Sequence, residues 1–296
     1  METATDTATA AVTTGQLLTE ATGVLTAAGV HTPRLDAEIL LAAACGTDRG
    51  ALYARLRDAP SLRCRDDFLS MLTRRVAREP VQYIVGRQEF WSLDFLVTPA
   101  VLIPRPETER LVELAVRLFS VEDKPERPPR PTLCDLGTGS GCIAVALARE
   151  LPEAEIWALD VSSEALAVAA TNARRHGVAE RLRFVESDLF AAVGGQRFDA
   201  VISNPPYVST SDLRNAQPEL GWEPRAALDG GATGREVIRP LIDAAPEVLV
   251  KGGWLIMEIG ANQAAAVAEL AAAAGFGSVA VHADYAGLPR VLAARR

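Results

Sequence analysis

Apolar residues recur at helical spacing from Thr14 onward. Leu17, Leu18, Ala21, Val24, Leu25 and Ala28 share one face, and Gly29 supplies a stop. A second helix is expected over about 34–45, carrying Leu35, Ile39, Leu40 and Ala43 and ending at Gly46; Thr47 would cap a short third helix. A fourth, about 61–79, presents Phe68, Leu69, Leu72 and Val76 and stops at Pro80. Its other side carries Arg63, Arg65, Arg74, Arg75 and Arg78, which reads either as a solvated face or as a contact for an acidic partner or RNA. Residues 1–13 precede this pattern and are expected to be disordered. Over 88–98 the period shortens: Phe90, Leu93, Phe95 and Val97 suggest a hairpin with Ser92 to Asp94 near its turn. A helix then runs to about Phe119, and Lys124 to Pro131, with four prolines, reads as a stiff surface loop. From Thr132 to the end strands and helices alternate, the pattern of an α/β, Rossmann-like, mostly parallel doubly wound sheet. The expected organisation is a helical domain over 1–85, a β-hairpin linker over 86–103 and the doubly wound domain over 104–296.

The first strand of that domain, Thr132 to Leu136, runs into Gly137-Thr138-Gly139-Ser140-Gly141 and then into an apolar helix from Cys142 to Arg149. Glycines between a strand end and a helix N-terminus let a ligand approach the backbone. A second strand, Glu155 to Leu159, ends in Asp160, which is placed to accept hydrogen bonds from both hydroxyls of a ribose. A dinucleotide site would want a third glycine at position 142, where this chain has Cys142. A third strand, Leu182 to Glu186, leads to Ser187-Asp188-Leu189-Phe190, a place for adenine contacts.

The run Phe198 to Ser203 reads as a further strand and ends in Asn204-Pro205-Pro206-Tyr207. Each proline fixes φ and removes an N–H, and Asn204, preceding a proline, is held extended. The turn is therefore stiff and rich in acceptors: the Asn204 side-chain oxygen and the Pro205 carbonyl can each take one N–H of a planar –NH₂ group, with Tyr207 as an aromatic wall. Asn-Pro also simply begins many turns.

Taken together these motifs resemble class I S-adenosylmethionine-dependent methyltransferases that act on amines. Gln82-Tyr83-Ile84-Val85-Gly86, the Phe90-Trp91 pair, the stretch from Leu102 to Glu109 (Leu-Ile-Pro-Arg-Pro-Glu-Thr-Glu) and the stretch from Glu223 to Gly231 are similar to the HemK/PrmC family over roughly residues 14–296. One departure is Leu288-Pro289-Arg290, where the family more often has a charged residue before the arginine. The resemblance implies methyl transfer from S-adenosylmethionine to the glutamine amide of the Gly-Gly-Gln loop in class I peptide chain release factors. A ribosomal-protein glutamine, or an adenine amine of DNA or RNA, would be the alternative acceptor. It implies donor binding by Asp135, Gly137, Thr138, Gly139, Ser140, Gly141, Asp160, Asp188, Leu189 and Asn204, and acceptor binding and catalysis at Asn204, Pro205, Pro206 and Tyr207. For Asp135 two roles stand open, capping the glycine loop or orienting the donor's amine. Glu107 is expected near the glutamine pocket, although it and Glu109 also read as first-turn helix acids.

Charge and composition narrow the partners. A formal net charge of −8 disfavours a nucleic-acid substrate, whose phosphates call for a basic surface, and 5 % aromatic residues leave few stacking platforms for extruded bases. No metal is expected: His31, His176 and His282 are scattered, and Cys45, Cys64, Cys134 and Cys142 form no close pair, the last two reading as small core residues. Met1 to Gly15 lacks a basic region followed by an apolar stretch, and no apolar run reaches membrane-spanning length, so a cytoplasmic location is expected; a monomer is expected as well, though no residue pattern bears on it.

Overall fold

A computed structural model describes residues 12–120 and 128–296. Most of the tail before residue 14 and residues 124–127 of the proline-rich stretch fall outside these. The chain forms two compact units, Met1–Gly86 and Arg87–Arg296.

The first unit is helical: α1 (Thr14–Ala27), α2 (Pro33–Ala44), α3 (Arg49–Ala54), α4 (Leu62–Val76) and α5 (Val81–Val85). Order begins before residue 14, because Thr13 caps α1. Its hydroxyl accepts from the Gln16 N–H, and the Gln16 side chain accepts from the Thr13 N–H at 2.8 Å. Asp48, not Thr47, caps α3, accepting from the Ala51 N–H. The buried stripes are narrower than the periodicity suggested. Leu18, Ala21, Leu25, Leu40, Leu41 and Phe68 are buried, whereas Val24, Leu35, Leu69 and Val76 are exposed. The reason is visible on α4, which buries Cys64, Phe68, Leu72 and Arg75, one residue per turn. Arg75 is thus not on a solvated face. It is 5 % exposed, and its Nε donates to Asp36 Oδ2 of α2 at 2.7 Å. Cys45 and Cys64 are joined by a disulfide, Cα–Cα 4.9 Å, that ties the end of α2 to the start of α4; their spacing alone did not reveal it.

The second unit opens with the hairpin β1 (Arg87–Phe90) and β2 (Leu93–Leu96). The turn lies at Trp91 and Ser92, one residue earlier than the sequence suggested, with φ of 54° and 57°. Both central residues of a two-residue hairpin turn need positive φ, which Trp and Ser adopt reluctantly. Carboxylates hold them there: Glu109 accepts from the Trp91 N–H at 2.8 Å and Glu89 from the Ser92 N–H at 2.6 Å. Phe90 and Phe95 belong to one of the two cores of this unit.

Then follow α6 (Glu109–Phe119), β3 (Thr132–Leu136), α7 (Cys142–Glu150), β4 (Glu155–Asp160), α8 (Ser163–Arg175), β5 (Leu182–Glu186), β6 (Phe198–Ser203), α9 (Thr210–Arg214), α10 (Ile238–Val248), β7 (Leu249–Glu258), α11 (Ala264–Ala273), β8 (Ser278–Ala283) and β9 (Pro289–Arg295). The sheet order is β5-β4-β3-β6-β7-β9-β8. The first five strands are parallel, and β9 runs antiparallel to both its neighbours. Alternate strand residues serve opposite faces: Leu133, Ile156, Ala200 and Ile202 pack with α6 and α7, while Cys134, Leu159, Val201 and Leu255 pack with α10 and α11. Cys134 and Cys142 are free and buried. Among the described residues no helix is long and apolar enough to cross a membrane.

The Asp36–Arg75 pair generates a stability prediction. Asp36→Ala would remove the carboxylate that accepts from the buried Arg75 Nε and should cost about 3–5 kcal/mol in urea unfolding of the full chain. Replacing both residues by apolar ones of similar volume (Asp36→Leu with Arg75→Met) should recover most of that loss.

Candidate active site

β3 and β6 lie side by side, yet the helix after β3 packs on one face of the sheet and α10 packs on the other. The chain therefore parts beyond Leu136 and Ser203, and a crevice must open at the carboxyl ends of the strands. A cavity of about 510 Å³ occupies that place. Its lining brings together Gly137 and Gly139, Asp160, Asp188 and Leu189, and Asn204, Pro205 and Pro206. Apolar residues complete it: Ala100, Val161 and Leu241, which sequence reasoning did not single out, and Leu102 and Ala227 from the stretches 102–109 and 223–231. The first three carry no motif of their own.

The glycine loop divides into two parts. Gly137 and Gly139 face the cavity, and a Cβ at either would meet nothing within 4 Å, so the backbone there is bared to a ligand. Thr138, Ser140 and Gly141 are turned away from it. Thr138 and Ser140 are buried, and the Ser140 carbonyl accepts from Asn172 Nδ2 of α8 at 2.8 Å. A Cβ on Gly141 would lie 3.0 Å from the Ala169 Cβ, so this glycine lets α7 pack close to α8. Asp160 Oδ2 accepts from the Gly139 N–H at 2.8 Å and Oδ1 from the Ser162 N–H at 3.0 Å. Each oxygen retains a lone pair for a ligand hydroxyl.

Asp135 lies beneath the loop and outside the cavity lining. It is fully buried, and its Oδ2 accepts from Thr138 Oγ1 at 2.6 Å and from the Ala144 N–H at 3.1 Å. Oδ1 has no hydrogen-bond partner. Burial pushes the carboxyl up to about 7, with the Asp160 charge adding to the rise and the two hydrogen bonds opposing it. The capping role is thus the one its bonds display.

At the Asn-Pro-Pro-Tyr turn, Asn204 Nδ2 donates to Thr108 Oγ1 at 3.1 Å. Thr108 Oγ1 donates to Glu258 Oε2 at 2.7 Å, and the Tyr207 hydroxyl donates to Glu258 Oε1 at 3.1 Å. Tyr207 does not wall the cavity, as the sequence suggested; its ring packs against the core beneath α10 and α11. Burial pushes the Glu258 carboxyl up; the Thr108 and Tyr207 hydroxyls and the Arg290 charge pull it back, and Glu107 raises it further. Gln263 Nε2 donates to both the Tyr207 carbonyl, at 3.1 Å, and the Gly234 carbonyl, at 3.0 Å, locking the turn to the loop that follows it. Glu107 itself is exposed and does not line the cavity; its neighbour Thr108 makes the contact with Asn204. Glu109 is committed to the hairpin turn. Glu223 is buried, accepting from the Ile103 N–H at 3.0 Å and from Arg105 Nη2, and so anchors the segment leading to Thr108.

Residues 16–86 match the family model described as the PrmC N-terminal domain, and residues 119–220 the one described as the methyltransferase small domain. The chain is 45 % identical over 278 residues to the release factor glutamine methyltransferase of Geobacter sulfurreducens, covering 92 % of this chain and 93 % of that protein. It is 44 % identical over 287 residues to the protein of that name from Moorella thermoacetica, covering 96 % and 99 %. Among solved structures, the 16S rRNA N2 G1207 methyltransferase of T. thermophilus, in complex with AdoMet and guanosine, superposes with a TM-score of 0.51 at 17 % identity, covering 71 % of this chain and 49 % of that one. At that identity it speaks for the fold alone.

The buried Asp135 gives a pH prediction for the ligand-free protein. Its folded pKa, about 7, stands above the ordinary aspartate value of 3.8, so between these values the folded state binds more protons than the unfolded one. Its contribution to stability is complete below the unfolded value and is lost as pH rises through the folded value. Asp135→Asn should therefore gain melting temperature relative to the parent between pH 5 and pH 8; a difference that shrinks over that range would contradict the assignment.

Proposed function

This chain belongs to the release factor glutamine methyltransferase family, and we infer that it methylates the side-chain amide nitrogen of a glutamine in class I peptide chain release factors, within their Gly-Gly-Gln loop. The observation that supports this most directly is that acceptors suited to an –NH₂ group, at Asn204 and Pro205, line the same cavity as the Gly137/Gly139 backbone and Asp160. S-adenosylmethionine fits that second half: bare glycine backbone for its methionine part, the Asp160 carboxylate for its ribose hydroxyls, and Asp188 and Leu189 beside its adenine. When bound it supplies a methyl group on a positively charged sulfur.

The residues of this chain then have a positioning task. An amide nitrogen is a poor nucleophile because its lone pair is delocalised into the carbonyl. Asn204 Oδ1 and the Pro205 carbonyl each accept one N–H of the glutamine, which turns the nitrogen toward the methyl and favours its pyramidal form. Alignment of this kind can lower a barrier by about 7–11 kcal/mol. As the nitrogen gains the methyl it becomes more positive, so both acceptors bind it more strongly in the transition state than before it. One of its protons is then released to solvent. The apolar remainder of the cavity excludes water, which strengthens these hydrogen bonds. The reading also assigns the helical unit to recognition of the release factor body, leaving the glutamine loop to the second unit.

Mass spectrometry of intact release factor after incubation with enzyme and donor should show one added methyl on the loop glutamine, and none on DNA; labelled methyl in adenine at a comparable rate would refute the reading. Asn204→Ala leaves one substrate donor unpaired, a cost of about 1–3 kcal/mol, and loses alignment besides, so turnover should fall at least about a hundredfold with donor affinity changed far less. Residues 87–296 alone should methylate a short Gly-Gly-Gln peptide as well as the full chain does, and lose most activity on intact release factor. Equal activity of the two on the intact protein would remove the helical unit from recognition.

A further inference from the structure

We propose that Thr108 and Glu258 are positioning residues for the methyl transfer: they fix which end of the Asn204 amide faces the substrate. This rests on the acceptor role given to Asn204 above. An asparagine amide is nearly symmetric in shape but not in chemistry, since one branch only accepts and the other only donates. Rotated by 180°, Asn204 would present N–H groups to the substrate –NH₂, and donor would meet donor. The turn itself does nothing to prevent this, because the prolines constrain the backbone and not the second side-chain torsion.

The hydrogen bonds running away from the cavity do prevent it. Glu258 stands at the end of β7, 1 % exposed; in its ionised form, which burial opposes and the Thr108 and Tyr207 hydroxyls and the Arg290 charge favour, it can only accept. The single Thr108 O–H is donated to Glu258 Oε2 at 2.7 Å. Its oxygen then has only acceptor capacity left, and it meets Asn204 Nδ2 at 3.1 Å. The polarity of the chain is set by the carboxylate and handed on through the hydroxyl, so Oδ1 is the branch left to the cavity that Asn204 lines. The Tyr207 O–H, donated to the other Glu258 oxygen, leaves Glu258 with an acceptor filled on each side and no reason to release Thr108. Thr108 is buried, so no water competes for these bonds. Thr108, Asn204 with Tyr207, and Glu258 come from three elements, the segment before α6, the loop after β6 and the end of β7.

The test uses the full-length enzyme with intact release factor. Thr108→Val keeps the shape and removes the hydroxyl, freeing the Asn204 amide to rotate. It should lower kcat by at least about tenfold, while KM for release factor and the dissociation constant for S-adenosylmethionine stay within about twofold. Thr108→Ser keeps the hydroxyl and should hold kcat within about threefold of the parent. Because Thr108 acts through Asn204, adding Thr108→Val to Asn204→Ala should change kcat by less than about twofold. The proposal is overturned if Thr108→Val turns over normally, if its loss appears in KM rather than kcat, if Thr108→Ser falls as far as Thr108→Val, or if the two losses multiply in the double variant. Should Thr108→Val fail to fold, Thr108→Ala, which also removes the hydroxyl, is held to the same criteria alone and combined with Asn204→Ala. Failure of the parent enzyme to methylate release factor would instead strike the functional reading.

Discussion

Everything at the site depends on β3 and β6 lying parallel and adjacent while α7 and α10 pack on opposite faces of the sheet. Two chains leaving neighbouring strand ends in opposite directions cannot cover the gap between them. The register is held there by the Ser203 hydroxyl, which donates to the Leu136 carbonyl at 2.8 Å across the two strand ends. With that gap fixed, the glycine loop and the Asn-Pro-Pro-Tyr turn necessarily face a common space, and β4 contributes Asp160 from the adjoining position. On the proposed function the chemistry is divided between two loops, donor on one and acceptor on the other, and the sheet supplies their spacing.

The parts of this arrangement that are local in sequence were legible there. The strands β3, β4, β5 and β6, the glycine loop, Asp160 and the Asn204 turn each follow from residues within a few positions of one another, and the structure gathers Gly137, Gly139, Asp160, Asp188, Leu189, Asn204, Pro205 and Pro206 around one cavity. What was not legible depends on partners far along the chain. Glu258 ends an apolar strand and carries no local signal, and its importance comes only from meeting Thr108, 150 residues away, and Tyr207. The same long reach drew attention to Glu107 when Thr108, one residue on, makes the contact. Arg75 looked like one more cation on a charged helix because Asp36, 39 residues earlier, is not within any periodic window. Tyr207 was read as a wall of the cavity, whereas its ring packs on the core and its hydroxyl meets Glu258, 51 residues on.

The polar groups of the site are nearly all spoken for by other polar groups of the protein. Asp135 holds Thr138 and Ala144, Gln263 holds the Tyr207 and Gly234 carbonyls, Asn172 holds the Ser140 carbonyl, and Glu223 holds the segment before Thr108. Buried polar groups satisfied in this way specify one arrangement of loops that would otherwise have many. The glycines and prolines make the shape possible, and the side-chain hydrogen bonds select it.

Asp160 extends the point to the energetics of association. Its two oxygens already bind the Gly139 and Ser162 N–H groups before any ligand arrives. The conformational entropy of ordering the glycine loop is therefore expended during folding and not during binding. On the proposed function a donor molecule meets a carboxylate whose orientation is settled, and what it loses on arrival is chiefly its own freedom. The enzyme can then exchange donor for spent product between turnovers without rebuilding the loop each time.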